Sequence, residues 1–398
     1  MSITLIVGDI HLGKSLSMGR PGIGSALNGR VIDQFQLLDW ILEQAIQHHV
    51  TCLILTGDIC EDIKPDYVLM SGFIQWLKRC ETHSIDVHII AGNHDIKRSG
   101  SHYISPLDVI QSAELPNTII YKQIETIYNG TVGFTLLPFR DRMSLNSNSA
   151  FDALCRIKNI LEYESSDIPN SYDKVLIGHM ALEGSICVGD EFDDEANELM
   201  CPLNMFEGYS YVWMGHVHRP QIRSKAPHIA HIGSLDLSDF GETDHVKTLI
   251  LFDSQSIGKF KEIKVPSRPL RLLRVTVSSQ TDTTEMILEA LSKLDKANSI
   301  KNSIIKIEVQ LQGIDSVNSD RQQVQDAVYN KYGAHFLCSF TESRTAAVIP
   351  QEKRRDLDNT INPRTAVKMW AAEKFEEVED QNVFIQMAFD TMTDSSEA

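Results

Sequence analysis

Several things are scarce in this 398-residue sequence, and each scarcity removes a class of protein. No proline, glycine or serine tract interrupts a composition of 42% hydrophobic and 23% charged residues, so a folded globular chain is expected rather than a disordered one. No apolar run reaches the ~18 residues of a membrane-spanning helix. The seven cysteines form no CxxC pair and no regular spacing, and they read as reduced structural thiols. Walker motifs for ATP are absent. Residues 2–7 lack the basic start and long apolar stretch of a secretory signal, so a cytoplasmic location is expected. Positive charge is also short. With 37 basic against 54 acidic residues, the formal charge of -17 argues against non-specific adhesion to nucleic acid or an anionic membrane. A nucleic-acid substrate stays open, because bound divalent cations would reverse the local field at an acidic, histidine-rich site. The length suits one large domain with smaller additions, since single cores seldom grow beyond about 250 to 300 residues.

What the sequence has in quantity is one repeated pattern. Five times in the first 220 residues a short apolar run ends in glycine and meets a metal-competent side chain: Leu5 to Gly8 before Asp9, Leu53 to Gly57 before Asp58, His88 to Gly92 before Asn93, Val175 to Gly178 before His179, and Tyr211 to Gly215 before His216. Continuous apolar runs of this length read as strands buried on both faces. Glycine after each lets the backbone turn where a ligand approaches, so the polar residues are expected along one edge of the sheet. Between these runs, Val31 to Leu42 and Tyr67 to Leu77 carry apolar residues at helical spacing. Strand, helix, strand alternation predicts α/β layering, with ligands bound at the strand ends.

Carboxylate, imidazole and amide oxygen together suit hard or borderline divalent ions such as Mn²⁺, Mg²⁺, Fe²⁺ or Zn²⁺. Adding His11 and His218, the set of Asp9, His11, Asp58, Asn93, His179, His216 and His218 exceeds what one ion uses, about four to six ligands. Two ions are therefore expected, with Asp58 as the natural shared carboxylate. Roughly 3.5 to 4 Å apart, such a pair activates water and stabilises both oxygens of an in-line phosphoryl displacement. Each fragment alone has a bland reading: Asp9 with His11 as a capping feature, Gly57-Asp58 as a turn, His216 and His218 as a polar strand end. Five strand ends carrying the right group in one order outweigh those readings.

Written as Gly8-Asp9-Ile10-His11, Gly57-Asp58, Gly92-Asn93-His94-Asp95, Gly178-His179 and Gly215-His216-Val217-His218, these residues resemble the ordered signature of calcineurin-like metallophosphoesterases. The resemblance implies a four-layer α/β sandwich of two mixed β-sheets flanked by helices. It implies a first metal on Asp9, His11, Asp58 and His218, and a second on Asp58, Asn93, His179 and His216. His94 would contact the scissile phosphate and protonate the leaving oxygen, with Asp95 orienting it. Asp9-Ile10-His11-Leu12-Gly13 and the segment Gly233 to Glu242 are further similar to the SbcD-type DNA-repair nuclease subunits and their eukaryotic and phage relatives. Where some of these relatives place a histidine three residues after the bridging aspartate, this chain has Glu61, for which no role is read.

The resemblance implies residues 1–265 as the catalytic domain, 266–345 as a small α/β capping domain that steers DNA, and 346–398 as a helical tail. Strands over Leu270 to Val277, Ile304 to Leu311 and Phe336 to Phe340, with helices over Glu285 to Leu294 and Arg321 to Tyr332, fit such a module. In the tail, Val367, Trp370, Phe375 and Phe384 recur on one face of two short helices, which cannot stabilise themselves. By resemblance they would dock on a coiled-coil ABC ATPase of SbcC type, in a heterotetramer containing a homodimer of this chain; packing back on the catalytic domain is the alternative. The glycine-rich loop from Gly13 to Arg30 carries Lys14, Arg20 and Arg30, which could clamp a phosphate backbone or lie solvated. The reading is thus a Mn²⁺-dependent DNA exonuclease and endonuclease of a repair and recombination complex, in a bacterial or phage-infected host cytoplasm. A stand-alone phosphatase or cyclic-nucleotide phosphodiesterase is one rival, and a DNA-end-binding scaffold with a silent metal site another.

Overall fold

The computed structural model describes residues 2–19, 27–99, 102–187, 198–256, 259–278, 283–312 and 319–344, with single positions 367, 371 and 385. Two six-stranded mixed sheets dominate. The first runs Phe260–Lys264, Thr248–Asp253, Ile3–Val7, Cys52–Leu55, Asp86–Ile90, Thr118–Tyr121 across its width. The second runs Gln221–Lys225, His228–His231, Tyr211–Gly215, Asp173–His179, Val132–Leu137, Glu125–Asn129. Alternation along the central strands explains why both are so apolar. In the first sheet Leu5, Val7, Leu53, Leu55, Val87 and Ile89 face the helices Gly29–Gln47 and Tyr67–Thr82, where they meet Leu38, Ile41, Phe73 and Leu77. Their neighbours Ile6, Ile54 and Ile90 point the other way, into a core shared with Phe134, Leu136, Val175, Ile177 and Trp213 of the second sheet. The second sheet's outer face packs Leu176, Val212 and Met214 on Ala153, Ile157 and Leu161 of helix Ala150–Asp167. Helix, sheet, sheet, helix is a four-layer sandwich, in which a continuous apolar run serves two different cores.

The five apolar runs therefore do not share one sheet edge, as their likeness suggested. Three belong to the first sheet and two to the second, and their C-terminal ends converge where the sheets meet. Within the described residues no helix is long and apolar enough to cross a membrane.

A separate three-stranded parallel sheet, Leu270–Val277, Ile304–Leu311 and Phe336–Arg344, has its own core with helix Thr283–Ala297. The second helix expected there is split into an α-helical turn at Arg321–Asp326 and a π-helical one at Ala327–Lys331. This sheet joins the sandwich through an apolar contact of Leu270, Ile304 and Phe336 with Leu237, Phe240 and Met18, and through a buried ionic knot. In the knot, Arg30 donates to Asp33 Oδ2 at 3.1 Å, Asp236 Oδ2 at 2.6 Å and the Leu237 carbonyl at 2.7 Å. Arg268 takes the remaining face of Asp33, with contacts of 2.8 and 2.6 Å, and donates to the Asn302 carbonyl at 3.1 Å.

Arg30 is thus corrected from a candidate DNA contact to a structural joint: only 1% exposed, its guanidinium already spent on two carboxylates and a carbonyl, it has no face for a phosphate. Burial pushes the Asp236 carboxyl pKa up and Arg30 opposes that shift, so Arg30→Met should leave an uncompensated buried carboxylate. Urea denaturation should show about 3–5 kcal/mol lost; a stability equal to the parent's would mean the knot contributes nothing.

Candidate metal centre

The convergence of strand ends is held by the candidate ligands themselves. The amide of His216, on the second sheet, donates to Asp9 Oδ2 at 2.7 Å on the first, and Thr56 Oγ1 donates to Asp9 Oδ1 at 3.1 Å. The His179 ring lies with Nδ1 2.9 Å from the Thr56 carbonyl, crossing the same seam. The loop after Val7 is zipped to the loop after Leu55: the amides of Ile10 and His11 both donate to the Asp58 carbonyl, and Leu12 donates to Ile59. His11, Asp58 and His216 sit at φ of 50°, 46° and 80°, a strained left-handed backbone tolerated here because the surrounding bonds fix it.

Two of the glycines act by close approach rather than by turning. A Cβ on Gly92 would lie 2.1 Å from Asp58 Oδ1, and one on Gly215 would lie 2.2 Å from Asp9 Oδ1. Gly92 leaves the space that a carboxylate from the loop after the neighbouring strand occupies, and Gly215 the space of a carboxylate from the facing sheet.

The ring nitrogens and oxygens then gather in two overlapping groups. His11 Nε2 and His218 Nε2 are 2.9 Å apart. Asn93 Oδ1 lies 2.8 Å from His179 Nε2 and 3.1 Å from His216 Nδ1. Asp58 Oδ2 faces both groups, 3.5 Å from His11 Nε2 and 3.3 Å from His179 Nε2. Ligand atoms of Asp9, His11 and His218, and again of Asp9, Asp58 and His179, lie within 4.8 Å of one another. Two imidazole nitrogens 2.9 Å apart have the separation of neighbouring ligands at right angles on an ion with bonds of about 2.1 Å. Oxygen and imidazole donors without thiolate suit a hard or borderline divalent cation. The residues fit metal.

Electrostatics agree. Burial lowers the His11 pKa to about 4, so its ring is neutral and keeps a lone pair. Burial would lower His179 too, but the carboxylates of Asp58 and Asp9 outweigh it and raise the imidazole to about 10. Asp58 is itself held well below the usual carboxylate range by the His179 and His11 rings despite its burial. A positive charge among these carboxylates is what the field of the site favours.

His94 lies at the rim. Its amide donates to Asp58 Oδ1 at 2.9 Å, and its ring Nδ1 is 2.7 Å from the carbonyl of Glu61. Asp95, expected to orient that ring, does something else: its fully buried carboxylate accepts the amides of Ile59, Gly92 and Cys60, pinning the Asp58 loop to the Asn93 loop. The backbone of Glu61 orients His94 instead.

Three carboxylates that the sequence did not single out as part of the site stand behind its imidazoles. Glu61 Oε2 is 2.8 Å from His11 Nδ1, Glu242 Oε1 is 3.6 Å from His218 Nδ1, and Glu198 Oε2 is 3.4 Å from His216 Nε2. A carboxylate behind an imidazole fixes its orientation and raises its basicity as a ligand. Glu242 was within reach of a sequence reading, since it ends the Gly233 to Glu242 segment. That segment also bonds the Leu235 amide to the Asp9 carbonyl. Glu198 carries no such signal. Of the other expected contacts, Lys14 is at the site mouth, 3.2 Å from Glu61 Oε2. Val367 is helical and half-buried, whereas Arg20, Trp370, Phe375 and Phe384 lie outside the described residues.

The calcineurin-like phosphoesterase family matches residues 3–220, more than half the chain, and the chain belongs to that family. Among curated proteins it is similar to a DNA double-strand break repair protein Mre11 from Methanopyrus kandleri, 27% identical over 55% of this chain and 45% of that protein. It therefore spans about half the length of that relative. It is also similar to the SbcD component of the nuclease SbcCD in two bacteria. The Escherichia coli protein is 22% identical over 70% of this chain and 72% of the relative, and the Staphylococcus epidermidis protein is 24% identical over 69% and 74%.

Gly92→Ala should push Asp58 out of place without replacing any candidate ligand. Titration calorimetry with Mn²⁺ should show affinity weakened about 10–100-fold, the range seen when a ligand loses its support, with the circular dichroism spectrum preserved. Parental affinity in this variant would remove Asp58 from the ligand set.

Proposed function

We propose that this chain is the nuclease component of an SbcCD-type DNA repair complex, hydrolysing phosphodiester bonds of DNA at a two-metal centre. The observation that carries the chemistry is Asp58 Oδ2, which faces the His11 group and the His179 group at once, as a bridging carboxylate must. Asp9, His11, Asp58 and His218 would hold one ion, and Asp58, Asn93, His179 and His216 the other, with Mn²⁺ the favoured metal. Bound there, the pair supplies an activated water and neutralises charge building on the phosphate. The chain's own part is positional. Glu61, Glu242 and Glu198 aim the imidazoles, and the Asp95 carboxylate fixes the two loops that carry Asp58 and Asn93. His94, with Nδ1–H donated to the Glu61 carbonyl, turns Nε2 toward the substrate, where it can hand a proton to the leaving oxygen.

DNA as substrate is supported by the names of the relatives, which are DNA-break repair proteins and nucleases, and by the parallel sheet of 270–344 standing beside the site through Leu237 and Phe240. We assign that module to DNA steering, Lys14 to a backbone contact, and residues 346–398 to binding a coiled-coil ABC ATPase, with the assembly containing two copies of this chain in the cytoplasm.

Purified protein with Mn²⁺ should degrade linear DNA from its ends and leave phosphomonoesters nearly untouched; the reverse preference would sink the nuclease reading. His94→Gln should slow DNA cleavage about 10²–10⁴-fold with Mn²⁺ affinity unchanged, and parental rates in that variant would remove His94 from the reaction. For the tail, deletion from Ala346 should end co-purification with the ATPase and keep Mn²⁺-dependent cleavage. Retained co-purification would place the ATPase contact elsewhere.

A further inference from the structure

Beside the metal centre, on the side of His179 and His216, lies a cleft of about 390 Å³ that the mechanism leaves unused. One wall is Phe139, whose ring packs against the imidazoles of His179 and His216 at centroid distances of 6.4 and 6.3 Å. Ile96, two residues past His94, lines it as well, with Ile124 and Leu145. Arg140 braces the cleft. Only 8% exposed, it donates to the carbonyls of Phe139 and Lys122 at 3.0 and 2.6 Å and to Gln123 Oε1 at 3.0 Å. These bonds tie the chain after strand Val132–Leu137 to the chain before Glu125–Asn129, so the shape is set before a ligand arrives.

The chemistry of the lining selects among the parts of a nucleotide. A phosphate needs unspent cationic donors, but Lys122 is ion-paired with Asp108 and Arg140 is engaged by backbone carbonyls. A flat, uncharged group fits better: the aromatic and aliphatic walls offer stacking, and the Gln123 amide, whose oxygen already accepts from Arg140, has its Nε2 to offer a base edge. The volume falls in the range of about 300–1,000 Å³ usual for small-ligand clefts. It is large enough for one base turned out of its stack.

We propose that this cleft receives the nucleobase next to the scissile phosphate, stacked on Phe139, so that the cut nucleotide leaves the helix stack before hydrolysis. The proposal rests on DNA being the substrate and adds where its base goes. The test compares a single-stranded oligonucleotide with a counterpart carrying one abasic site, with Mn²⁺ present and cleavage read bond by bond on a gel. The parent protein should cut the bond flanking the abasic site on one side about tenfold more slowly than the same bond in the intact strand, the scale of one lost base–aromatic stack. Ile124→Trp, which fills the cleft, should lower the intact bond to the abasic rate and leave the abasic rate alone. Gln123→Ala, a change at an exposed side chain that leaves Arg140 its bonds to the Phe139 and Lys122 carbonyls, should narrow the difference part of the way. Fluorescence anisotropy of the intact oligonucleotide in EDTA should show the same order of affinities without turnover. Equal cutting of both strands by the parent, or parental discrimination in both variants, overturns the proposal. If the parent cuts neither strand but hydrolyses p-nitrophenyl phosphate with Mn²⁺, the DNA reading itself has failed, and the cleft assignment falls with it.

Discussion

Everything in this molecule depends on how the two sheets are closed at one edge. Through their middle the layers meet by apolar side chains, with Ile6, Ile54 and Ile90 against Phe134, Ile177 and Trp213. At the closing edge the contacts are polar: Asp9 takes the amide of His216, and His179 lies on the carbonyl of Thr56. A buried carboxylate is stable there only because donors surround it. Those donors are the elements that must stand a fixed distance apart for metal chemistry, so packing and catalysis set the same geometry.

The parallel sheet of 270–344 is coupled to that edge by a short route. Leu237 and Phe240 pack on it, while Leu235 in the same segment bonds the Asp9 carbonyl, and Glu242 stands behind His218. One short segment thus touches both that parallel sheet and the candidate ligands. The Arg30 and Arg268 knot ties that stretch, through Asp236 and Asp33, to the chain just before strand Leu270–Val277.

Much of this is legible in the sequence, for physical reasons. Apolar runs closed by glycine and a polar residue are unambiguous when the strand is buried on both sides, and five of them in order mark the candidate ligands and the α/β layering. The same property hides the division into two sheets, because a run apolar on both faces does not say which layer each face meets. Loop residues are harder. Glu198 acts through a distance set by tertiary closure and no spacing announces it, while Glu61 stands out by its place after Asp58 without its partner being readable. The family resemblance points Asp95 at His94, whereas its burial directs it to three backbone amides. Arg30 reads as part of a basic loop until the carboxylates of Asp33 and Asp236, the latter 206 positions away, enclose it.

The doubling of ligands as inter-sheet contacts also bears on how such a protein could age. A descendant that no longer cut anything would still need Asp9 to receive the His216 amide and His179 to reach Thr56, or the sandwich would gape at that edge. Selection for folding alone would then keep these residues long after turnover had gone. An intact set of metal ligands is for that reason an incomplete record of activity in this fold, and His94, which sits at the rim and closes no seam, is the more telling witness.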